Sequence, residues 1–136
     1  ISEMWAAAGA RTRLMSESLH DQVLGMISHL PHVVAYALMS LLDTQAARDD
    51  CMTLAAGGFY DISRIASSDP VMWRDVLLHN GPVVRELIAK YRDTLGELDR
   101  LIESADGPRL ESWFANAREL RGAIQELRPP AKRDSE

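Results

Sequence analysis

The chain has 136 residues, which suits one domain that can bury a core without disulfide bonds. Its net charge of -5 and its pI near 5.3 argue against a surface that follows nucleic-acid phosphates, which needs clustered Lys and Arg. No apolar run reaches the roughly 18 residues of a membrane span, and Cys51 is alone, so we expect no membrane segment, no intramolecular disulfide and a reducing, cytoplasmic setting.

The first 15 residues, ISEMWAAAGARTRLM, begin without methionine and run directly into structure-like sequence. They form neither a signal peptide nor a tag, and they indicate a cut inside a longer polypeptide. Ser2 to Ala8 is a short Ala-rich helix candidate with Gly9 at its C-cap, and residues 10–15 are a short strand or an extended link. We interpret residues 1–15 as the connection from a preceding domain.

A long helical segment follows this connection. Ser16 is a good N-cap, and apolar residues recur at helical spacing as far as Leu30. Pro31 then interrupts the pattern, because proline has no backbone N–H and clashes with the preceding helical turn. Residues 32–42 continue the segment with side chains that are apolar nearly all round, which predicts burial on most sides.

Shorter elements occupy the middle of the chain. Residues 43–50 are polar and form a loop or a helix end. A short helix is predicted over residues 51–56, with Gly57-Gly58 as its stop signal, and another over residues 59–66.

A clear helix start lies at SSDP, residues 67–70. Capping side chains followed by proline in the first turn predict a helix that runs to His79. Asn80-Gly81 marks its end.

Two long amphipathic helices complete the chain. An apolar stripe over residues 82–105 predicts the clearest helix, residues 106–108 form a turn, and a last helix covers residues 110–127. Residues 128–136 are predicted to be a disordered tail. The domain over residues 16–127 is therefore an all-α, multi-helix bundle with short connections.

The pair His29 and His32 is the first candidate for chemistry. The two residues are three positions apart and would share a face of a regular helix. His20 or Asp21 could complete a metal site, but Pro31 disturbs the register, and we expect no metal. Hydrogen bonds to backbone carbonyls and contacts with a substrate are the two remaining interpretations, since neutral imidazole both donates and accepts.

Arg64 is the second candidate, because it lies in an otherwise apolar segment and needs a carboxylate or phosphate partner. That partner is either Asp61 or Asp69 of the same chain, or a bound anion. Gly57-Gly58 just upstream allows a backbone or a ligand to approach closely. Trp73 is expected to pack in the core.

Several catalytic motifs are missing from the sequence. It contains no GxGxxG, no GxxxxGK[ST], no HExxH and no CxxC, and no serine lies in a nucleophile-elbow context. The acidic residues lie mostly on solvated helix faces. The chain therefore carries no self-contained catalytic set.

Two blocks of sequence resemble a known family. HDQVLGMISHLPHVVAYAL (residues 20–38) and GGFYDISRIASSDPVMWRDVLLHN (residues 57–80) are similar to the C-terminal helical domain of prephenate dehydrogenases, which include arogenate and cyclohexadienyl dehydrogenases. The resemblance covers residues 1–105, and the last helix is less diagnostic. It implies an intertwined dimer with a fold like the C-terminal domain of 6-phosphogluconate dehydrogenase.

The resemblance also implies an activity for the whole enzyme. A preceding Rossmann domain would bind NAD or NADP and carry the catalytic histidine, so this chain holds no catalytic residue, binds no cofactor itself and should be inactive alone. The reaction is an oxidative decarboxylation in tyrosine biosynthesis, which yields 4-hydroxyphenylpyruvate from prephenate or tyrosine from arogenate. L-tyrosine is a candidate inhibitor, and a second copy of the chain is the expected partner, with no role for nucleic acid.

Carried over from the resemblance, the site residues contact the substrate from one wall of its pocket. His32 lines the pocket, Gly57 lets the backbone approach the substrate side chain or a tyrosine inhibitor, Arg64 binds a carboxylate, and Trp73 closes the pocket. Asp61 reaches an arginine of the pocket, on its own or the partner subunit, and His29 is either structural or a site residue.

Two other functions remain open from the sequence. A helical interaction or regulatory module without a pocket would have Arg64 paired internally. The helical domain of a β-hydroxyacid dehydrogenase would share the general plan, but its usual catalytic lysine context is not evident here.

Overall fold

The computed structural model describes residues 2–9 and 12–127, and all regular elements in these ranges are helical. The protein is therefore all-α, as the sequence predicts. The predicted tail, residues 128–136, lies outside the described residues. Eight α-helices and two short helical segments follow in chain order: α1 Ser2–Ala7, α2 Glu17–Leu24, a π-helical turn Gly25–His29, α3 Leu30–Asp43, α4 Arg48–Thr53, α5 Gly57–Ser63, a 3₁₀ turn Arg64–Ser67, α6 Pro70–His79, α7 Gly81–Glu103 and α8 Gly107–Leu127.

The chain divides into two compact units, Ile1–Lys90 and Tyr91–Glu136. The first contains α1 to α6 and the start of α7, together with every residue that the sequence singled out for chemistry. The second contains the rest of α7 and α8, which are joined by a tight turn. In that turn Ala105 adopts a positive φ of 50°, and the Asp106 carboxylate accepts a hydrogen bond from the Arg109 N–H at 3.1 Å.

The helix that contains Pro31 widens instead of breaking. α2, the π-helical turn and α3 form one continuous run, Glu17–Asp43. Ser16 caps it, because its Oγ accepts from the Leu19 N–H at 3.3 Å. The Leu30 N–H donates to the carbonyl of Gly25, five residues back. A wide turn here follows from Pro31, which offers no N–H to the preceding turn and repels its carbonyl.

This run is also unusually apolar. Glu17–Asp43 is 27 residues long and apolar enough to cross a membrane by length and composition, with a mean hydropathy of 1.4 in its most apolar window, a test that the core helix of a soluble protein also passes. Only 17% of that window is buried inside the chain. The expectation that α3 is buried on most sides is therefore wrong for a single copy: Ala35 is buried, but Met39 and Leu41 are exposed.

The core of the first unit is small. Leu30 and Ala35 from α3, Trp73 from α6 and Val84 from α7 are its buried apolar side chains, and Asn80 is a buried polar one. The π-helical turn lies very close to α7, because a Cβ placed on Gly25 would be 2.9 Å from Val83 Cγ1. The sequence analysis did not foresee this contact.

The two glycines in the middle of the chain start a helix, where the sequence predicted a stop. α4 begins at Arg48 and ends at Thr53, and Gly57 is the first residue of α5. Ala56 precedes it in an extended conformation, which is where a helix N-cap belongs. The predicted helix start at residues 67–70 is confirmed, and Asp69 is the capping residue: its carboxylate accepts from the Met72 N–H at 2.8 Å.

The close contact at Gly25 predicts a stability effect. Gly25→Ala is expected to lower the free energy of unfolding by about 1–3 kcal/mol, since the new Cβ would overlap Val83 Cγ1 and Leu87 Cδ1. Gly96→Ala, also in a helix, is the control. Its Cβ would meet only the flexible end of Arg100 at 3.6 Å, so this change should stabilise by up to ~1 kcal/mol. Equal effects in urea denaturation would contradict the contact.

Candidate functional site

Three of the predicted site residues form one ring cluster. The rings of His32 and Trp73 stack with their centroids 3.6 Å apart and 21° between planes. The ring of His29 meets Trp73 in an edge-to-face arrangement, at 6.0 Å and 80°. The π-helical turn, α3 and α6 each contribute one residue to this cluster.

His32 is held by its own helix. Its Nδ1 lies 2.9 Å from the carbonyl oxygen of Ser28, four residues back. A carbonyl oxygen only accepts, so Nδ1 carries the proton of the neutral ring, and Nε2 is left with a free lone pair. The predicted hydrogen bond from a histidine to a backbone carbonyl is thus confirmed for His32. The same bond still leaves one ring nitrogen available to a ligand.

His29 is held by Asn80, which lies between α6 and α7. The side-chain nitrogen of Asn80 lies 3.1 Å from His29 Nδ1 and 2.9 Å from the carbonyl oxygen of Asp21. Because that nitrogen only donates, His29 Nδ1 is an acceptor and the proton of the neutral ring is on Nε2. Burial lowers the pKa of His29, the charge of Asp21 opposes this, and His32 and His20 lower it further.

Asn80 is the residue of this cluster that the sequence analysis missed. Its place between α6 and α7 was interpreted only as a helix end. The structure shows that it is 7% exposed and that it is a buried polar side chain. Its partners are 51 and 59 residues away in the chain, so no local pattern pointed to them.

Trp73 carries an unpartnered polar group. The ring is 7% exposed, and its Nε1–H is buried without a hydrogen-bond acceptor in the described chain. The expectation that Trp73 packs in the core is confirmed. A buried donor without an acceptor is rare in native proteins, because it loses its hydrogen bonds to water and gains none in return. Within the described part of the chain, the Trp73 Nε1–H is therefore an exception that calls for an explanation.

The remaining predicted residues form a second group on α5 and the 3₁₀ turn. Arg64 is exposed, and within the described residues no carboxylate lies within 4.0 Å of its guanidinium. The internal salt bridge to Asp61 or Asp69, one of the two partners that the sequence left open, is thus not observed in the described residues.

Asp61 and Gly57 lie on the same short helix, α5, and both are exposed. A Cβ at Gly57 would meet no atom within 4 Å, so the space beside its backbone is open. The 3₁₀ turn that starts at Arg64 packs against α3, and next to it the Tyr36 hydroxyl donates to the Ser68 carbonyl at 2.9 Å. No described hydrogen bond, ion pair or ring contact joins this group to the ring cluster, and their convergence on one ligand stays a prediction.

The histidines do not form a metal centre with other residues. Over residues 2–9 and 12–127, no group of three His, Cys, Asp or Glu side chains is arranged to hold a metal ion. The Nδ1 atoms of His29 and His32 are both engaged in the hydrogen bonds described above.

Comparison with known proteins identifies the family. Residues 16–116 match the family model of the prephenate dehydrogenase dimerization domain. The chain belongs to this family. Similar curated proteins include the cyclohexadienyl dehydrogenase of Zymomonas mobilis, 35% identical in an alignment of 134 positions that covers 95% of this chain and 46% of that protein. The prephenate dehydrogenase of Bacillus subtilis is 37% identical over 81% of this chain and 30% of its own length.

Solved structures of family members share the fold. The prephenate dehydrogenase of A. aeolicus in complex with hydroxyphenyl propionate and NAD+ matches with a TM-score of 0.84 and 36% identity, over 90% of this chain and 43% of that one. Synechocystis arogenate dehydrogenase matches with a TM-score of 0.83 and 25% identity, over 90% of this chain and 45% of that one. The chain thus spans less than half the length of these family members.

The lowered pKa of His29 predicts a pH dependence of stability. An unfolded histidine binds a proton with a pKa of about 6.5, whereas folded His29 binds it at lower pH. The contribution of His29 is therefore complete above pH 6.5 and is lost as the pH falls through the folded pKa. We expect the unfolding free energy, measured by urea denaturation, to fall below pH 6.5, and less steeply in His29→Gln.

An unchanged slope in His29→Gln would contradict the partial burial of neutral His29.

Proposed function

We propose that this chain is the substrate-binding and dimerisation domain of an NAD(P)-dependent dehydrogenase that acts on prephenate or arogenate in tyrosine biosynthesis. In that reaction, hydride leaves the ring carbon that bears the 4-hydroxyl group, the carboxylate on the ring leaves as CO₂, and the ring becomes aromatic. The contribution of this chain is to bind and orient the substrate, and the family membership supports it.

The observation that carries the proposal is the pair formed by Trp73 and His32. The indole N–H of Trp73 is buried without an acceptor, and the stacked His32 ring has a free Nε2. A substrate with carboxylate, carbonyl and hydroxyl oxygens supplies the acceptor for the first and a partner for the second. The A. aeolicus enzyme is known in complex with hydroxyphenyl propionate, a ligand with just such a carboxylate and hydroxyl.

The unpaired guanidinium of Arg64 suits the carboxylate of the substrate. Its planar fork of donors binds a carboxylate through two parallel hydrogen bonds, and no acidic side chain of the described chain competes for it. Open space beside Gly57 leaves room for the substrate side chain. Asp61 would orient an arginine of the pocket. L-tyrosine carries the same ring and carboxylate, and we propose that it competes as an inhibitor.

The cofactor does not fit the residues of this chain. A dinucleotide site needs a strand, a glycine-rich loop and a helix whose N-terminus receives the pyrophosphate. The sequence contains no GxGxxG, and residues 2–9 and 12–127 form no strand. We propose that NAD or NADP binds to a separate nucleotide-binding domain, so that this chain alone has no hydride acceptor, and that the enzyme works in the cytoplasm.

A second copy of the chain is the proposed protein partner. Monomeric proteins rarely leave large contiguous apolar patches uncovered. Here an apolar hollow of about 570 Å³ opens between α3, α4 and α5, lined in part by Leu38, Leu42 and Phe59. A dimer interface would also account for the apolar character of the run Glu17–Asp43. Other large apolar side chains of the first unit are exposed as well: Leu14, Ile27, Ile62 and Leu78.

Removal of the Arg64 guanidinium tests the substrate site. The assay uses a chimera in which the nucleotide-binding half of the Zymomonas mobilis enzyme is joined to this chain, with prephenate, NAD⁺ and NADH absorbance as the readout. We expect Arg64→Ala to lower kcat/KM by about 10- to 100-fold, mainly through KM, because a charge-assisted hydrogen bond to a carboxylate is lost.

The matched control is Arg48→Ala, which removes an exposed arginine that is ion-paired with Asp43 at 3.2 Å. It should leave kcat/KM unchanged, and the 136-residue chain without the added domain should give no turnover. Equal kcat/KM values for the two variants would refute the role of Arg64. Turnover by the chain alone at the level of the chimera would refute the proposal that the cofactor binds to a separate domain.

The dimer has its own test. Light scattering over a range of protein concentrations should give twice the chain mass of 15.1 kDa, because association covers the apolar surfaces. A mass of one chain at high concentration would contradict a role in dimerisation.

A further inference from the structure

We propose that Asn80 is a positioning residue of the site: it fixes the tautomer and the orientation of His29 and, through the contact of His29 with Trp73, the stack of Trp73 on His32. The effect on ligand binding rests on the function proposed above. The effect on His29 does not depend on it.

The orientation of the Asn80 amide follows from its partners. The carbonyl of Asp21 only accepts, so the nitrogen, not the oxygen, of the side chain must face it at 2.9 Å. The same nitrogen lies 3.1 Å from His29 Nδ1. Both N–H groups are then engaged, and His29 can hold its neutral proton only on Nε2.

The backbone of Asn80 is fixed as firmly as its side chain. Its N–H donates to the Val76 carbonyl of α6 at 3.1 Å, and its carbonyl accepts from the Val84 N–H of α7 at 3.1 Å. Trp73 is two turns upstream on α6. A single residue therefore ties the end of the helix that carries Trp73 to the helix that carries His29, across a sequence separation of 51 residues.

Contacts among three rings connect Asn80 to the proposed ligand site. His29 touches Trp73 edge to face, and Trp73 stacks on His32 at 3.6 Å. A protonated His29 would present Nδ1–H to the N–H of Asn80, and this hydrogen bond would be lost. The titratable groups around His29 are Asp21 and His20 on α2 and His32 on α3, while Asn80 and Trp73 face it as neutral groups.

Neither alanine nor aspartate at this position can donate hydrogen bonds to both the Asp21 carbonyl and His29 Nδ1. Alanine leaves Nδ1 of His29 without a donor. Aspartate is nearly isosteric, but it replaces the two donors by acceptors, so it repels the Asp21 carbonyl and draws a proton onto His29 Nδ1. These two variants therefore separate loss of the donor from reversal of its polarity.

Nitrogen NMR of the ¹⁵N-histidine-labelled chain reads the tautomer directly. In the unmodified protein at neutral pH we expect His29 Nδ1 to resonate as an unprotonated nitrogen and Nε2 as a protonated one. In Asn80→Asp we expect a protonated Nδ1 and a higher pKa of His29. Asn116→Asp on α8, with the same change of charge at an exposed site, should leave His29 unchanged.

The measurement on the unmodified protein decides the proposal even if a variant does not fold. A protonated Nδ1 in neutral His29 would overturn it. So would a folded Asn80→Asp chain in which the His29 resonances are those of the unmodified chain.

Ligand binding tests the second step, from His29 to the site. The probe is 3-(4-hydroxyphenyl)propionate, titrated into the chain while the indole N–H resonance of Trp73 is followed. We expect Asn80→Ala to shift that resonance in the free protein and to weaken binding about tenfold, the order of one lost hydrogen bond, while Asn116→Ala changes neither.

The outcomes separate the two proposals. If Asn80→Ala binds the probe as tightly as the unmodified chain and the Trp73 resonance is unmoved, the positioning role is refuted and the proposed function stands. If the unmodified chain binds no probe, the result counts against the proposed function, and the tautomer of His29 still decides the role of Asn80.

Discussion

The site depends on one missing backbone N–H group, that of Pro31. A proline in a helix cannot donate to the preceding turn, and its ring repels the carbonyl there. The helix accommodates this with the wide turn Gly25–His29. Such turns insert an extra residue into the helical repeat and turn the following side chains to new directions. His29 at the end of this turn and His32 just after it meet the same indole ring from different sides.

The wide turn also explains why Gly25 and Asn80 tolerate few other side chains. Gly25 has no side chain, and the turn therefore comes within contact distance of Val83 on α7. The start of α7 in turn fixes Asn80, whose amide reaches back to Asp21 and His29. Pro31, Gly25 and Asn80 thus shape the same part of the structure around the wide turn. Of the three, only Pro31 could be recognised from the sequence as a residue that disturbs the helix.

Sequence predicts the parts of this protein that local chemistry decides. The caps before α2 and α6 and the two long amphipathic helices depend on residues within one or two turns, and the ends of those helices were predicted to within three residues. Gly57 was misjudged because glycine is tolerated both after a helix and at its start. The His32 and Trp73 assignments came from the family resemblance, since no spacing rule links residues 41 positions apart. Asn80 was missed for the same reason.

The groups that the chain leaves without partners fall into two chemical classes. Arg64, the Trp73 N–H and the Nε2 of His32 are polar: a cation, a donor and an acceptor. The substrate proposed above carries the negative charge and the oxygens that these three groups would need. The uncovered side chains such as Leu54 are apolar and gain nothing from such a ligand, but they gain about 25 cal/mol for each Å² that a protein surface covers. The proposed substrate and the proposed second subunit would therefore meet separate chemical needs of the same small domain.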